Sequence, residues 1–173
     1  MFPIKIKRKA EKVIKLCLEK KITLAFAESC TGGLLSSLIT SFPNSSKIFS
    51  CGYITYSNLS KEKMLGVSKK ILKKYGAVSA DVALAMASSA ATKANADIGI
   101  GITGIAGPRG TTKNKKVGDV FVGLVHFKNK KFESALDDGF SGLKGSREHI
   151  RLSSVDCALD LLIKYILNHK KKC

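Results

Sequence analysis

The spacing of apolar residues divides the chain into helical and extended segments. Between residues 6 and 20, lysines alternate with apolar residues such as Val13 and Cys17 at helical spacing, which predicts an amphipathic helix. The apolar run 22–27 instead predicts a buried strand. The same patterns predict further helices at 31–41, 60–65, 68–75, 79–95 and 145–168, and further strands at 48–56, 98–103, 119–127 and 131–140.

The order of these segments indicates the fold class. Helices alternate with strands over most of the chain, as is typical of α/β domains. Only Lys128-Asn129-Lys130 separates the last two strands, so they are expected to form a hairpin with at least one antiparallel strand. We therefore expect a three-layer α/β/α sandwich with a mixed, mainly parallel sheet. Because no repeat or linker divides the 173 residues, we expect one domain over residues 1–173.

The formal net charge of +17 changes the range of partners to be considered. Only four of the 30 basic residues are arginines, the side chain that specific phosphate and base recognition favours. The lysines are spread along the chain with few aromatic neighbours, so no base-stacking surface is indicated. We interpret the charge as a solvated, lysine-rich surface that attracts small anions, and we expect no specific nucleic-acid partner.

Neither hydropathy nor the cysteines indicate a membrane or an oxidising compartment. No apolar run approaches the ~18 residues that cross a bilayer, and the basic N-terminus lacks the apolar region of a signal peptide. The five cysteines are odd in number and form no Cys-x-x-Cys pair, so neither a disulfide framework nor a zinc knuckle is indicated. We expect a reducing, cytoplasmic location and no membrane partner.

The first candidate site is the segment Ala27-Glu28-Ser29-Cys30-Thr31-Gly32-Gly33, between the first predicted strand and the second predicted helix. Proteins of the α/β class place reactive groups at such corners. Unpaired N–H groups at the start of the helix can hold an anion or a developing oxyanion. Ser29 is therefore a candidate nucleophile, but serine is also a common N-cap and the pattern alone leaves both roles open.

A second segment offers a base for that serine. Tyr56 and Asn58 follow the second predicted strand, and Lys61 lies one turn into the next segment. The ends of parallel strands converge, so this segment could face Ser29. A lysine acts as a base when burial or a neighbouring cation keeps it neutral, and Tyr56 could relay the proton or orient the lysine. Packing of the tyrosine and solvation of the lysine are the alternatives. None of the three histidines is placed as a credible base.

A third segment, residues 99–110, is rich in glycine and contains a formal Gly-x-Gly-x-x-Gly spacing that begins at Gly99. We reject a dinucleotide-binding fold because these glycines lie in a strand and no helix follows, and a P-loop because Gly-Lys-Ser/Thr is absent. What remains is a glycine turn that lets the backbone approach a ligand closely. Thr103 and Arg109 could then contact a phosphate; a turn without a ligand is the alternative.

The start of the last helix forms the fourth segment. Ser146 is a plausible cap, and Arg147 and Arg151 lie one turn apart near the positive end of the helix. This pairing suits phosphate binding. Surface ion pairs with Glu148 or Asp138 are the alternative.

Taken together and in this order, the segments resemble the CinA C-terminal domain family of nicotinamide-nucleotide amidases. The resemblance rests on Ala27-Glu28-Ser29-Cys30-Thr31-Gly32-Gly33, Tyr56-Ser57-Asn58 with Lys61, Gly76-Ala77-Val78-Ser79, Thr103-Gly104-Ile105-Ala106-Gly107-Pro108, Val117-Gly118 and Gly145-Ser146-Arg147-Glu148, within a core of about residues 8–168. It implies the α/β/α fold and hydrolysis of the carboxamide of nicotinamide mononucleotide to nicotinic acid mononucleotide and ammonia. The loop 109–116 departs from the family pattern, which affects the expected substrate contacts and leaves the chemistry unchanged.

The resemblance also implies roles for individual residues. It makes Ser29 the nucleophile, in preference to the adjacent Cys30, with Lys61 and Tyr56 as catalytic helpers. The residues expected to bind the substrate are Glu28, Cys30, Thr31, Gly32, Gly33, Asn58, Thr103, Gly104, Ala106, Gly107, Arg109 and Arg147.

No metal and no cofactor are expected, because the pyridinium ring of the substrate already activates its amide. The tendency of the family to associate implies a homo-oligomer. The alternative function is a catalytically silent nucleotide-binding module with a regulatory role in competence or DNA-damage responses. The presence of Ser29, Tyr56 and Lys61 together argues against that alternative.

Overall fold

Five strands form one mixed sheet, and helices cover both of its faces. A computed structural model describes residues 2–169. The helices are α1 (Ile4–Lys20), α2 (Leu34–Thr40), α3 (Asn58–Leu65), α4 (Lys69–Tyr75), α5 (Ala80–Ala94) and α6 (Arg147–Asn168), with a short 3₁₀ helix at Ser45–Lys47. The strands are β1 (Leu24–Glu28), β2 (Phe49–Ile54), β3 (Ile98–Gly104), β4 (Val120–Lys128) and β5 (Lys131–Phe140).

The strand order is β2-β1-β3-β4-β5. Strand β1 pairs in parallel with both β2 and β3, whereas β4 is antiparallel to both β3 and β5. Among the five strands described, β4 is therefore the one that runs against the rest. This arrangement confirms the predicted three-layer α/β/α sandwich with a mixed sheet and a C-terminal hairpin.

The alternation of side chains along β1 divides the core into two layers. Leu24 and Phe26 are fully buried in a cluster that includes residues of α1, α2 and α6. Ala25 and Ala27 point to the other face and join a smaller cluster with residues of α3 and α5. Both faces of the strand exclude water, which is why its sequence is apolar at every position before Glu28.

The glycines of β3 serve the packing of α5. A Cβ atom on Gly99 would lie 1.9 Å from the carbonyl oxygen of Ala87, and one on Gly101 would lie 2.1 Å from that of Ala83. Helix α5 therefore rests directly on the backbone of the sheet, and side chains at these positions would separate the two layers. The formal nucleotide-binding spacing is a packing feature, in agreement with its rejection from the sequence.

Two boundaries near the first candidate site differ from the prediction. Helix α2 begins at Leu34 instead of residue 31, because Gly32 and Gly33 adopt positive φ angles of 60° and 91° and form a turn. Strand β2 ends at Ile54 instead of residue 56. Within residues 2–169, no helix combines the length and apolar character needed to cross a bilayer.

Candidate functional site

Ser29 lies at the carboxyl end of β1, held between the two neighbouring strands. Its N–H donates to the carbonyl of Ile102 in β3 at 3.0 Å. On the other side, the N–H of Thr55 donates to the carbonyl of Glu28 at 2.8 Å. These backbone bonds fix the position of Ser29 at the edge where the three parallel strands end, as the strand-end argument predicted.

The side chain of Glu28 organises the turn that follows Ser29. It is fully buried, and its carboxylate accepts hydrogen bonds from the N–H groups of Gly33, Leu35 and Ser36 and from the Ser36 hydroxyl at 2.7–3.1 Å. A carboxylate so placed satisfies the free donors at the start of α2 and interacts favourably with the helix dipole. The predicted contact of Glu28 with substrate is therefore corrected: its oxygens already have partners inside the protein.

Lys61 contacts Ser29 directly. Its Nζ lies 2.8 Å from the Ser29 Oγ and donates to the carbonyl of Thr55 at 2.9 Å. The local sequence explains this placement: Ser57 caps α3 by accepting from the N–H of Ser60, and Lys61 then lies at the end of the first turn. The structure thus brings together the serine and the lysine that the sequence predicted as a pair.

The environment of Lys61 favours its neutral form. Its side chain is 1% exposed, and it is the one buried lysine among residues 2–169. Burial lowers the pKa of Lys61 from 10.5 to about 8, because the ammonium form loses its hydration. About a tenth of this amine is then neutral at pH 7. A neutral amine in contact with a hydroxyl can accept its proton.

The adjacent Cys30 has the opposite tendency. It is 5% exposed, and burial raises the pKa of its thiol to about 11. The thiol is therefore protonated at neutral pH, and a protonated thiol is a poor nucleophile. Between the two neighbouring residues, the geometry favours Ser29.

Tyr56 is placed differently from the predicted relay. Its hydroxyl accepts a hydrogen bond from the guanidinium of Arg147 at 2.7 Å, and the side chain is 61% exposed. No hydrogen bond joins Tyr56 to Ser29 or Lys61 within the described part of the chain. The carbonyl of Thr55 orients the lysine instead, a partner that sequence reasoning missed because it belongs to the backbone.

The two arginines of α6 bind backbone carbonyls. Arg147 donates to the carbonyl of Gly107 at 2.6 Å, and Arg151 donates to those of Cys30 and Thr31 at 3.2 and 2.7 Å. Neither forms the ion pair with an acidic neighbour that the sequence left open, as far as residues 2–169 are concerned. Arg151 thereby ties the turn after Ser29 to α6, a positioning role that the sequence did not indicate.

Most of the predicted site residues share one cleft of about 250 Å³. Its lining is Ser29, Cys30, Tyr56, Asn58, Lys61, Ala77, Val78, Thr103, Gly104, Ile105, Ala106, Gly107, Arg109, Gly110 and Arg147. Thr31, Gly32 and Gly33, like Glu28, lie outside this lining because they form the turn behind Ser29. Ala77, Val78, Ile105 and Gly110 were not predicted as site residues; the first three lie in segments that carried the family resemblance.

The polar groups of the cleft suit an anionic ligand. None of the described residues that line it is acidic, whereas Lys61, Arg109 and Arg147 are basic. The Thr103 hydroxyl donates to the carbonyl of Ala77 at 2.7 Å, so it is already held in place. Arg109 is exposed and makes no hydrogen bond or ion pair within the described chain, which leaves its guanidinium available.

The turn after Ser29 also limits which backbone N–H groups could stabilise a negative charge that develops on a bound ligand. The N–H of Gly32 donates to the carbonyl of Ser29 at 3.1 Å, and that of Gly33 donates to Glu28. Both groups are therefore already used. The N–H groups of Cys30 and Thr31 have no carbonyl or carboxylate acceptor in the described chain and are left with the Cys30 sulfur, a weak acceptor.

Comparison with known proteins gives one consistent family. A family model described as the CinA C-terminal domain matches residues 6–166. A competence-damage inducible protein of Thermoanaerobacter sp. (strain X514) is 44% identical over 160 residues, which are 92% of this chain and 37% of that protein. One from Caldicellulosiruptor saccharolyticus is 43% identical over 159 residues, again 37% of its length. The chain thus spans about a third of the length of these curated relatives.

Solved structures show the same fold. A competence/damage inducible protein from Agrobacterium tumefaciens superposes with a TM-score of 0.88 at 35% identity, covering 95% of this chain and 97% of that one. A competence-damaged protein (CinA) superfamily member from Escherichia coli gives a TM-score of 0.86 at 29% identity, covering 95% and 94%. The three-layer architecture is therefore common to this chain and those structures.

Proposed function

The chain belongs to the CinA C-terminal domain family, and on that premise we propose that it is a nicotinamide-nucleotide amidase. The proposed reaction hydrolyses the carboxamide of nicotinamide mononucleotide to nicotinic acid mononucleotide and ammonia. The observation that carries the proposal is the contact of 2.8 Å between the Ser29 Oγ and the buried Lys61 Nζ. A serine that contacts a buried lysine, in a cleft with basic walls, suits acyl transfer from an amide substrate that also carries a phosphate group.

The reaction begins with attack of the Ser29 Oγ on the amide carbon, while the neutral amine of Lys61 takes the hydroxyl proton. The tetrahedral intermediate then breaks its C–N bond, and Lys61 returns the proton to the leaving nitrogen, which departs as ammonia. Water, deprotonated by the same amine, hydrolyses the resulting ester. Nicotinic acid mononucleotide leaves, and Ser29 recovers its proton.

The developing negative charge on the amide oxygen needs donors near Ser29. We assign this role to the N–H groups of Cys30 and Thr31, because those of Gly32 and Gly33 already have acceptors. One such donor typically contributes about 3 kcal/mol to transition-state stabilisation. Glu28 and Arg151 contribute indirectly, since they hold this turn by its N–H and carbonyl groups respectively.

The phosphate of the substrate is assigned to Arg109. Of the two arginines that line the cleft, Arg147 already bonds Tyr56 and Gly107, whereas Arg109 makes no contact of this kind within residues 2–169. A free guanidinium binds a phosphate through paired hydrogen bonds. Asn58 and the backbone of 104–107 complete the surroundings of the nucleotide.

The positive charge of the pyridinium ring also suits a neutral lysine. An ammonium group at Lys61 would be repelled by the ring, while a neutral amine would not. Binding of the substrate is therefore expected to lower the pKa of Lys61 further below its value of about 8. The substrate itself thus favours the form of the lysine that the reaction needs.

The homo-oligomer remains a prediction. Several large apolar side chains are exposed on β2, α3 and the segment between them, among them Ile54, Leu59 and Met64. Apolar patches of this kind are common at protein interfaces. Light scattering of the purified protein measures the mass and decides the prediction.

Ammonia release from nicotinamide mononucleotide is the test of the proposed function. Wild-type protein is expected to release ammonia stoichiometrically with nicotinic acid mononucleotide, and Ser29→Ala is expected to release none while binding the nucleotide. Release by both proteins would overturn the nucleophile. Binding by both without release would favour the silent nucleotide-binding module, and absence of binding would reject the nucleotide as ligand.

A further inference from the structure

A cluster of two histidines and one glutamate lies at the opposite end of the sheet from the cleft. His126 is in β4, where it pairs with Ile98, the first residue of β3; Ser29 follows the last residue of β1. Glu133 is in β5, and His169 follows the end of α6. The proposed amidase reaction does not use any of the three.

We propose that His126, Glu133 and His169 form a binding site for a divalent transition-metal ion, with Zn²⁺ as the preferred ion. One possible ligand atom from each residue lies within 4.8 Å of those of the other two. The His126 Nδ1 and the His169 Nε2 lie 3.5 and 3.4 Å from the two carboxylate oxygens of Glu133. Two imidazoles and one carboxylate are a donor set that zinc sites use, with a fourth position left for water.

The distances within the cluster support an ion in preference to direct hydrogen bonds. Separations of 3.4–3.5 Å are longer than the 2.7–3.2 Å of ordinary N–H···O hydrogen bonds. Zinc bonds of about 2.0–2.1 Å in tetrahedral geometry place neighbouring ligand atoms about 3.3 Å apart. Each imidazole nitrogen therefore already lies at about this spacing from one oxygen of Glu133, the two nitrogens facing different oxygens of the carboxylate.

Neighbouring groups hold the ligands in place. Lys20 in α1 donates to the carbonyls of Ile166 and His169, which fixes the end of α6. The Tyr165 hydroxyl lies 2.7 Å from the His126 Nδ1 and 2.6 Å from the Ser134 hydroxyl. The Tyr165 hydroxyl thus bonds the same nitrogen that an ion would take, and the Ser134 hydroxyl remains its partner when the ion displaces it.

The site is also accessible. Both histidines line a cleft of about 280 Å³, so an ion can reach them from solvent. Glu133 and His169 are about one third exposed, which leaves them free to make the small rotations that close a coordination sphere.

The ligand atoms and the charges around the cleft together predict which ion the site selects. Lys20, Lys21 and Lys128 line it together with Asp97. Three ammonium groups repel any divalent cation, so binding depends on the bonds to the ligands, and imidazole nitrogens are poor ligands for Mg²⁺. Zn²⁺ also forms strong bonds to imidazole nitrogen, so the site is expected to prefer it.

Zinc titration of the full chain against a chromophoric chelator tests the proposal. Wild type is expected to bind one Zn²⁺ per chain, unaffected by excess Mg²⁺, and to gain thermal stability on binding. Glu133→Gln and His169→Ala should each weaken binding more than about tenfold, the least that loss of even an outer partner of a ligand usually costs. His149→Ala is the matched control, because His149 is an exposed histidine outside the cluster and should leave binding unchanged.

The same titration contains the results that would overturn the site. Absence of zinc binding by wild type, or wild-type affinity in His169→Ala and Glu133→Gln, would reject it. Circular dichroism of each variant establishes that it is folded. Co²⁺ serves as a spectroscopic probe: a thiolate-to-metal charge-transfer band would assign the ion to cysteine and reject the cluster, whereas its absence supports nitrogen and oxygen ligands.

Discussion

The two ends of the sheet carry different chemistry because they are built differently. At the carboxyl ends of β1, β2 and β3, parallel strands deliver Ser29 and Lys61 into one cleft with basic walls. At the other end, an antiparallel hairpin and the end of α6 bring two imidazoles to one carboxylate. The first arrangement buries a lysine and lowers its pKa, whereas the second leaves two of its three ligands, Glu133 and His169, partly open to solvent. Removal from water favours the neutral, proton-accepting form of the lysine at one end. Access to solvent lets an ion reach its ligands at the other.

The largest expected effect is on the rate of ammonia release, and it distinguishes the two ends of the sheet. Ser29→Ala should lower the rate of ammonia release by about a thousandfold or more, because no other side chain can replace the nucleophile. The same variant should bind Zn²⁺ with wild-type affinity, since the cluster lies at the far end of the sheet. Loss of zinc affinity together with activity would show that the two ends are coupled and would contradict their independence.

The second effect concerns the base. Lys61→Met keeps an unbranched side chain as far as Cε and removes the amine, so the rate should fall by about 10²–10⁴. Lys63→Met is the matched control on the same helix, because Lys63 is exposed and should leave the rate unchanged. Steady-state ammonia release measures both, and equal rates in the two variants would remove Lys61 from the mechanism.

The same pair of variants tests the energetic cost of the buried amine. The pKa of Lys61 is about 8 in the folded state against 10.5 normally, so protonation favours the unfolded state. Wild-type stability should therefore fall as the pH decreases from about 10.5 to about 8 and change no further from this source below that. Lys61→Met should raise Tm at pH 7, which Lys63→Met should not do.

A smaller effect is expected at the wall of the cleft. Arg109→Ala should raise KM about 10–100-fold and change kcat little, because a phosphate contact binds substrate and transition state equally. Lys113→Ala, in the same loop and outside the lining, is the matched control. A fall in kcat at constant KM would instead place Arg109 near the reacting atoms.

The smallest effect is a pH dependence of about tenfold. Activity should rise with pH as Lys61 loses its proton, so kcat/KM should increase about tenfold between pH 7 and 9 and level off above the pKa of about 8. The profile of kcat should have its midpoint at lower pH, because bound pyridinium disfavours the ammonium form. A profile that is flat over this range would contradict the role of the lysine.

Much of the fold and of the cleft could be predicted from the sequence. The five strands, the C-terminal hairpin and the cap at Ser146 follow from apolar spacing and from serine before a helix. The pairing of Ser29 with Lys61 follows from a general rule, that ends of parallel strands converge. The helices, strands and caps depend on residues close together in sequence, whereas the Ser29–Lys61 pair, 32 residues apart, needed the strand-end rule as well.

Other contacts could not be predicted from local patterns. Glu28 was expected at the substrate, but its side chain turns inward to the start of α2. Tyr56 was expected beside Lys61, but its hydroxyl lies against Arg147, which is 91 residues away. Each of these partners depends on how a side chain orients between packed elements, which the sequence pattern does not specify.

By itself, the sequence determined which segments become strands and helices, which residues are candidates for the chemistry of the cleft, and which family the chain resembles. The tertiary structure decided how far each group is removed from water and which distant groups it meets. Packing buries Lys61 and thereby lowers its pKa, and the hairpin register together with the end of α6 brings His126 close to Glu133 and His169. Desolvation and long-range contact arise only when the layers assemble, since both depend on atoms far apart along the chain.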